Sequence, residues 1–240
     1  MNPEPRYAIY LAPEPQEKLW QFGSAWLGYD AASRADVKQP ALQGIPSDVL
    51  REATAHPRLY GLHVTLKAPF RLAEGIGVDA LERAVAELAR RHAPIGPFSL
   101  ALEARQAGED AVFLCLVPAP MQPTLHRLEA EAVITLDPLR APLTPGEIAR
   151  RRPDRLTRRE RAHLERYGYP YVLDCFRPHL SLTGPIAADS PLRPALADYL
   201  TAEPAMMQLS VLSLLLFEQP EAGARFHIRQ RYRLGGEADE

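Results

Sequence analysis

Two histidines, His63 and His179, open nearly the same eight-residue string, "HVTLKAPF" over residues 63–70 and "HLSLTGPI" over residues 179–186. Each has a hydroxyl two positions on, Thr65 or Ser181, then leucine, and later proline at a shared offset. Alternate residues of a strand face the same way, so His63, Thr65 and Lys67 are expected on one face, and His179, Ser181 and Thr183 on one face of a second strand. Val64, Leu66, Leu180 and Leu182 then turn to a core. If the two polar faces line one cleft, the set suits metal-free chemistry at a phosphate ester. Imidazole titrates near neutral pH, so one ring can accept a proton while the other gives one. The hydroxyls of Thr65, Ser181 and Thr183 and the Lys67 ammonium can hold the non-bridging oxygens, where charge accumulates.

Two plainer readings compete. A duplicated strand can keep a sequence echo for its core alone. A metal centre needs several ligands, yet neither echo carries a second His, Cys, Asp or Glu along its strand, and no His-x-x-x-His occurs. No metal or cofactor is therefore expected. No Gly-x-Ser-x-Gly elbow is present either. His56, His92, His126, His163 and His227 lack a hydroxyl two residues on and are assigned to the surface. Cys115 and Cys175, in "VFLCLV" and "YVLDCF", are expected as buried reduced thiols.

Around the echoes, the plan strand, helix, histidine strand, helix, strand occurs twice. In the first half "RYAIYL" is a strand, Leu19, Phe22 and Trp26 are at helical spacing, and "VDALERAVAELARR" forms an amphipathic helix before the strand "FSLALEA". In the second, strand "AVFLCLV" and helix "PTLHRLEAEAVITL" precede His179, followed by helix "PLRPALADYL", strand "MQLSVLSLLLF" and the edge strand "RFHIRQRYRL". This order predicts an α+β fold of two related lobes, about 1–106 and 107–240, with antiparallel sheets around a central cleft and helices outside. A segment at about 137–171 has no counterpart. Thr144 with Glu147, and Thr157 with Glu160, each form a capping box, predicting two short helices, the second ended by Gly168 and Pro170. Eight arginines against three acids lie between Arg150 and Arg166. Tyr169 and Arg177, nearby, are candidate substrate contacts.

The net charge is -2 and the sequence pI about 6.4, so the chain offers no polycation to DNA or to an anionic membrane. No apolar run approaches a membrane span, and no basic start precedes an apolar stretch; a soluble cytoplasmic protein is expected.

Paired His-x-[Thr/Ser]-hydrophobic strands in a duplicated α+β fold resemble the 2H phosphoesterase superfamily, and "HVTL" and "HLSL" match its motif at both sites. "RYAIYLAP", "YGLHVTLKAPFRLA", "APLTPGEIARRRP", "YGYPYV" and "FRPHLSLTG" are similar to a family of phosphonate metabolism proteins encoded near carbon-phosphorus lyase genes. Relatives often carry an aromatic residue where this chain has Pro178. The resemblance implies a phosphodiesterase, a hydrolase that opens a cyclic phosphate on a small phosphorylated sugar or nucleotide. It implies that His179 activates water and His63 protonates the leaving oxygen, with the reverse assignment open. RNA ending in a 2′,3′-cyclic phosphate is a second class of substrate, and non-catalytic binding of a phosphometabolite a third reading.

Overall fold

A computed structural model describes residues 4–235. Strand β1 (Arg6–Leu11) leads to α1 (Lys18–Leu27), a small hairpin of β2 (Tyr29–Asp30) and β3 (Ala35–Asp36), and the short helices α2 (Ser47–Ala53) and α3 (Ala55–Arg58). Next come β4 (Val64–Phe70), α4 (Val78–Arg90), β5 (Ile95–Gln106), β6 (Ala111–Pro118), α5 (Pro123–Leu136), α6 (Pro145–Arg150) and α7 (Arg158–Tyr167). The chain continues through β7 (Leu180–Ser181), β8 (Ile186–Ala187), α8 (Leu192–Thr201), β9 (Gln208–Val211), β10 (Ser213–Gln219) and β11 (His227–Arg233). No described helix is long and apolar enough to cross a membrane.

The α+β expectation holds. Nine strands form one curled antiparallel sheet in the order β11-β10-β1-β4-β7-β6-β5-β9, with β8 beside β6. The histidine strands β4 and β7 are the central neighbours of that order, with Val64 paired to Leu180. Spatial halves of the sheet differ from sequence halves: β10 joins β1, while β5 joins β6. A cut near residue 106 thus falls inside the β5–β6 hairpin.

Alternation along β1 divides the interior. Tyr7, Ile9 and Leu11 join a large core with Leu19, Phe22 and Trp26 of α1, Leu81, Val85 and Leu88 of α4, Leu125, Leu128 and Leu136 of α5, and Leu192, Leu196 and Leu200 of α8. Ala8 and Tyr10 face the other way, into a smaller cluster with Leu215, Phe217 and Phe226. Val64, Leu66, Leu180 and Leu182 all belong to the large core, as their alternation with the histidines predicts. Burying each such side chain contributes roughly 1.5–3 kcal/mol, enough to seat both strands without help from their polar faces.

Helix α1 braces both histidine strands. A Cβ on Gly23 would lie 2.3 Å from Leu62 Cδ2, so only glycine permits this approach to the residue before His63. Three residues on, the Trp26 indole N–H donates to the Leu182 carbonyl at 2.9 Å.

Both capping boxes of the 137–171 segment form, at Thr144 with Glu147 and at Thr157 with Glu160, and Gly168 closes α7 in the left-handed conformation. Two strand expectations change. "MQLSVLSLLLF" breaks at Leu212 into β9, which borders β5, and β10, which borders β1. The strand at His179 shortens to two residues, because the amides of both Leu182 and Thr183 turn onto the Leu114 carbonyl.

Candidate active site

The β4–β7 seam sets the geometry. With Val64 opposite Leu180, the antiparallel register places His63 across from Ser181 and Thr65 across from His179. These four side chains line a cleft of about 380 Å³, together with Arg6, Tyr10, His56, Tyr60, Phe113, Arg151, Tyr169 and Thr183. Among the described residues, none that lines the cleft is acidic. A second hollow of about 590 Å³ shares Thr65, Phe113, Tyr169 and His179 with it and adds Arg177.

Both imidazoles are held in the same way. His63 Nδ1 lies 2.9 Å from the Gly61 carbonyl, and His179 Nδ1 lies 2.7 Å from the Arg177 carbonyl. A carbonyl only accepts, so each Nδ1 carries the proton and each Nε2 is left as a base when the ring is neutral. Gly61 presents its carbonyl from the left-handed region, at φ 74°, while Pro178 restrains the backbone just after Arg177. The Thr65 hydroxyl donates to His63 Nε2 at 3.2 Å, and Tyr10 stacks on the His63 ring at 3.8 Å between centroids. Phe113 borders the His179 ring at 5.6 Å.

Burial lowers the His63 pKa to about 4, against the Gly61 hydrogen bond and with a smaller contribution from His179. Burial also lowers that of His179, partly offset by its bond to Arg177. The ligand-free cleft therefore holds two neutral bases near pH 7. Where the sequence allows one neutral and one protonated ring, burial favours the neutral form of both.

Lys67 is a correction. Tyr10 pairs with Thr65, but Ile9 pairs with Lys67 rather than Leu66, so β4 gains one residue in a bulge. The bulge reverses the alternation and puts Lys67 on the face of Ile9, away from the cleft. There its ammonium is buried, 3.3 Å from Asp137 Oδ1 and 3.4 Å from the Val133 carbonyl. Burial lowers its pKa to about 8, against the pull of Asp137. Thr183 does line the cleft, yet its hydroxyl oxygen accepts the Leu114 amide at 2.9 Å, replacing a ladder bond of the shortened strand. Tyr169 reaches both hollows, whereas Arg177 is exposed and lines only the second, beside Glu160 at 3.8 Å.

Other assignments shift as well. His56 lines the cleft, and His163 and His227 are buried rather than on the surface. Cys115 is buried, but Cys175 is only partly so. His163, Asp174 and Cys175 place potential ligand atoms within 4.8 Å of one another. Both Asp174 oxygens are already engaged, one by His163 Nε2 at 2.7 Å and one by Arg159 Nε at 2.6 Å. Arg6, Tyr10, Tyr60, His56, Phe113 and Arg151 are cleft residues that the echo does not indicate. Alternation in "RYAIYL" already sets Arg6 and Tyr10 on the face away from Tyr7 and Ile9; the reach of Tyr60 and Arg151 depends on tertiary folding.

Fold and site define a class: an α+β protein in which two central strands of a curled antiparallel sheet each send a histidine and a hydroxyl into one cleft that, among the described residues, no carboxylate lines. Residues 65–227 match the family described as "Protein of unknown function (DUF1045)", and the chain belongs to that family. It is 39% identical over 228 residues to a protein of Laribacter hongkongensis (strain HLHK9) named ribose 1,5-bisphosphate phosphokinase PhnN, covering 93% of this chain and 50% of the relative. It is 36% identical over 241 residues to a protein of the same name from Janthinobacterium sp. (strain Marseille), covering 98% of this chain and 52% of the relative. The chain thus spans about half the length of the curated relatives it matches. These names overturn the expected assignment as a hydrolase of the 2H phosphodiesterase type, because both relatives are named as phosphokinases.

Proposed function

We propose that the cleft binds a small phosphate ester, a phosphorylated ribose or nucleotide whose phosphoryl group is open or cyclic, and that His63 and His179 exchange protons with it. The observation that carries this reading is the pairing of two imidazoles in one tautomer, each with a basic Nε2, in a cleft that two arginines and, among the described residues, no carboxylate line. Thr65 and Ser181 act as hydroxyl donors to the phosphoryl oxygens. An arriving phosphate supplies the negative charge that the free site lacks, which favours imidazolium at both positions. Thr65 then rotates its hydroxyl from His63 to a phosphoryl oxygen.

Two likenesses support the ligand class. The His-x-[Thr/Ser] pair is similar to that of 2H phosphoesterases, whose ligands are phosphate esters, and the relatives are named for a phosphorylated ribose. A phosphorylated ribose is also what the similarity to phosphonate metabolism proteins implies.

Isothermal titration calorimetry with ribose, ribose 5-phosphate and ribose 1,5-bisphosphate tests the reading. Saturable binding of the phosphorylated sugars alone is expected, weakened about tenfold or more by His63→Asn and by His179→Asn. Equal binding of ribose, or full affinity in both variants, would overturn it.

A further inference from the structure

Two guanidinium groups, those of Arg6 and Arg151, line the cleft beside the histidines. Arg6 begins β1 and shares a face with Tyr10, which stacks on His63. Its Nε donates to Gln219 Oε1 at 2.7 Å, and its guanidinium carbon lies 5.7 Å from the centre of the Phe226 ring. Arg151 caps the C-terminus of α6, in the segment that has no counterpart in the first half of the chain, and its guanidinium carbon lies 4.9 Å from the centre of the Tyr169 ring. Both arginines are partly buried, and among the described residues neither is paired with a carboxylate.

They converge on one place. The Tyr10 hydroxyl feels the fields of Arg6 and Arg151 as well as of Tyr60 and Tyr169, although burial dominates its titration. Tyr10, Tyr60, Tyr169, Arg6 and Arg151 all line the same cleft as the histidines. Partly buried guanidinium groups without counter-ions are costly unless an anion meets them, and arginine presents its donors in a fork that matches a phosphate. Their aromatic partners hold each fork in place, and among the described residues only the Nε of Arg6 is engaged, which leaves the terminal nitrogens of both forks to donate.

We propose that Arg6 and Arg151 form a second anion site, so that the ligand of this cleft is a sugar carrying two phosphate groups. One phosphate lies between His63, His179, Thr65 and Ser181. The other lies between the two arginines, and the hydroxyls of Tyr10, Tyr60 and Tyr169 face the sugar between them. The arginine-rich segment therefore reaches the ligand through Arg151, which closes one side of the cleft. This assignment rests on the phosphate-ester reading above and adds the second phosphate to it.

The test compares ribose 1,5-bisphosphate with ribose 5-phosphate by calorimetry at fixed ionic strength, using the full chain, Arg151→Gln, Arg6→Gln and the two histidine variants. Circular dichroism reports the fold of each variant. The wild type is expected to bind the bisphosphate at least about tenfold more tightly than the monophosphate. Each arginine variant should lose about 10- to 100-fold for the bisphosphate, the range for a charge-assisted hydrogen bond to phosphate. The ratio between the two ligands should collapse towards one. Equal affinity for both ligands in the wild type, or a folded arginine variant that keeps the ratio, would overturn the second site. If the histidine variants weaken binding while the arginine variants do not, the second site fails and the phosphate-ester reading stands; if the histidine variants bind normally, the phosphate-ester reading itself fails.

Discussion

Val64 faces Leu180 across the seam of the sheet, and this single pairing turns two distant sequence motifs into one site. Because the strands run antiparallel, each histidine lies opposite the hydroxyl of the other motif: His63 faces Ser181, and His179 faces Thr65. Each half of the cleft is thus built from both motifs, which makes the two histidines near-equivalent in setting as well as in sequence.

The bulge in β4 separates the roles of neighbours. Lys67→Met should lower stability by about 1–3 kcal/mol, because Asp137 loses one of its buried cationic partners while keeping Arg140 at 2.9 Å. Affinity for a phosphorylated ribose should stay within about twofold. Urea denaturation and calorimetry on the same preparation check both halves of this expectation.

Acid should weaken the fold through His63. Its folded pKa of about 4 lies below the 6.5 of an unperturbed imidazole, so between these values the unfolded chain holds a proton that the folded chain does not. Its contribution to stability is fully present above pH 6.5 and is lost as pH falls to about 4, by about 3 kcal/mol when complete. His179 adds a change of the same sign. The stability gap between wild type and His63→Gln, measured by urea denaturation at pH 7 and pH 4.5, should shift against the wild type as the solution is acidified.

Ligand binding should take up protons. A phosphate between two neutral imidazoles raises the pKa of both, so calorimetry at pH 6 in buffers of different ionisation enthalpy should show net proton uptake. The uptake should fall in His63→Asn and in His179→Asn, whereas Arg6→Gln should leave a larger share of it.

The α1 contact should transmit to the site. Gly23→Ala places a methyl group against Leu62, one residue from His63, and should cost about 1–3 kcal/mol of stability together with weaker ligand binding. Leu62→Ala in the same chain makes room and should restore part of the affinity, read by titration of the double variant.

Much of the fold was legible where local chemistry is strong. The capping boxes at Thr144 and Thr157, the helical spacing of Leu81, Val85 and Leu88, and the apolar alternation behind His63 and His179 all led to the structures they predict. The echo also pointed to a shared cleft for His63, Thr65, His179 and Ser181, which the seam brings together. Lys67 was misread because period-two alternation has no signature for a bulge. The break of one apolar run at Leu212 into two distant strands reflects sheet topology, to which a local pattern is blind. Arg151 and Tyr60 reach the cleft only once the chain has folded back, and their neighbours in sequence give no hint of it.

The most direct measurement of the central claim is nitrogen NMR of the histidine side chains in protein labelled at the imidazole, titrated with ribose 1,5-bisphosphate at about pH 7.5, above the ordinary imidazole pKa. The account predicts that, in the free protein, His63 and His179 both appear as neutral rings with the proton on Nδ1, and that both Nε2 signals move towards the imidazolium position as the ligand saturates. Unchanged Nε2 signals of both rings at saturating ligand would contradict it.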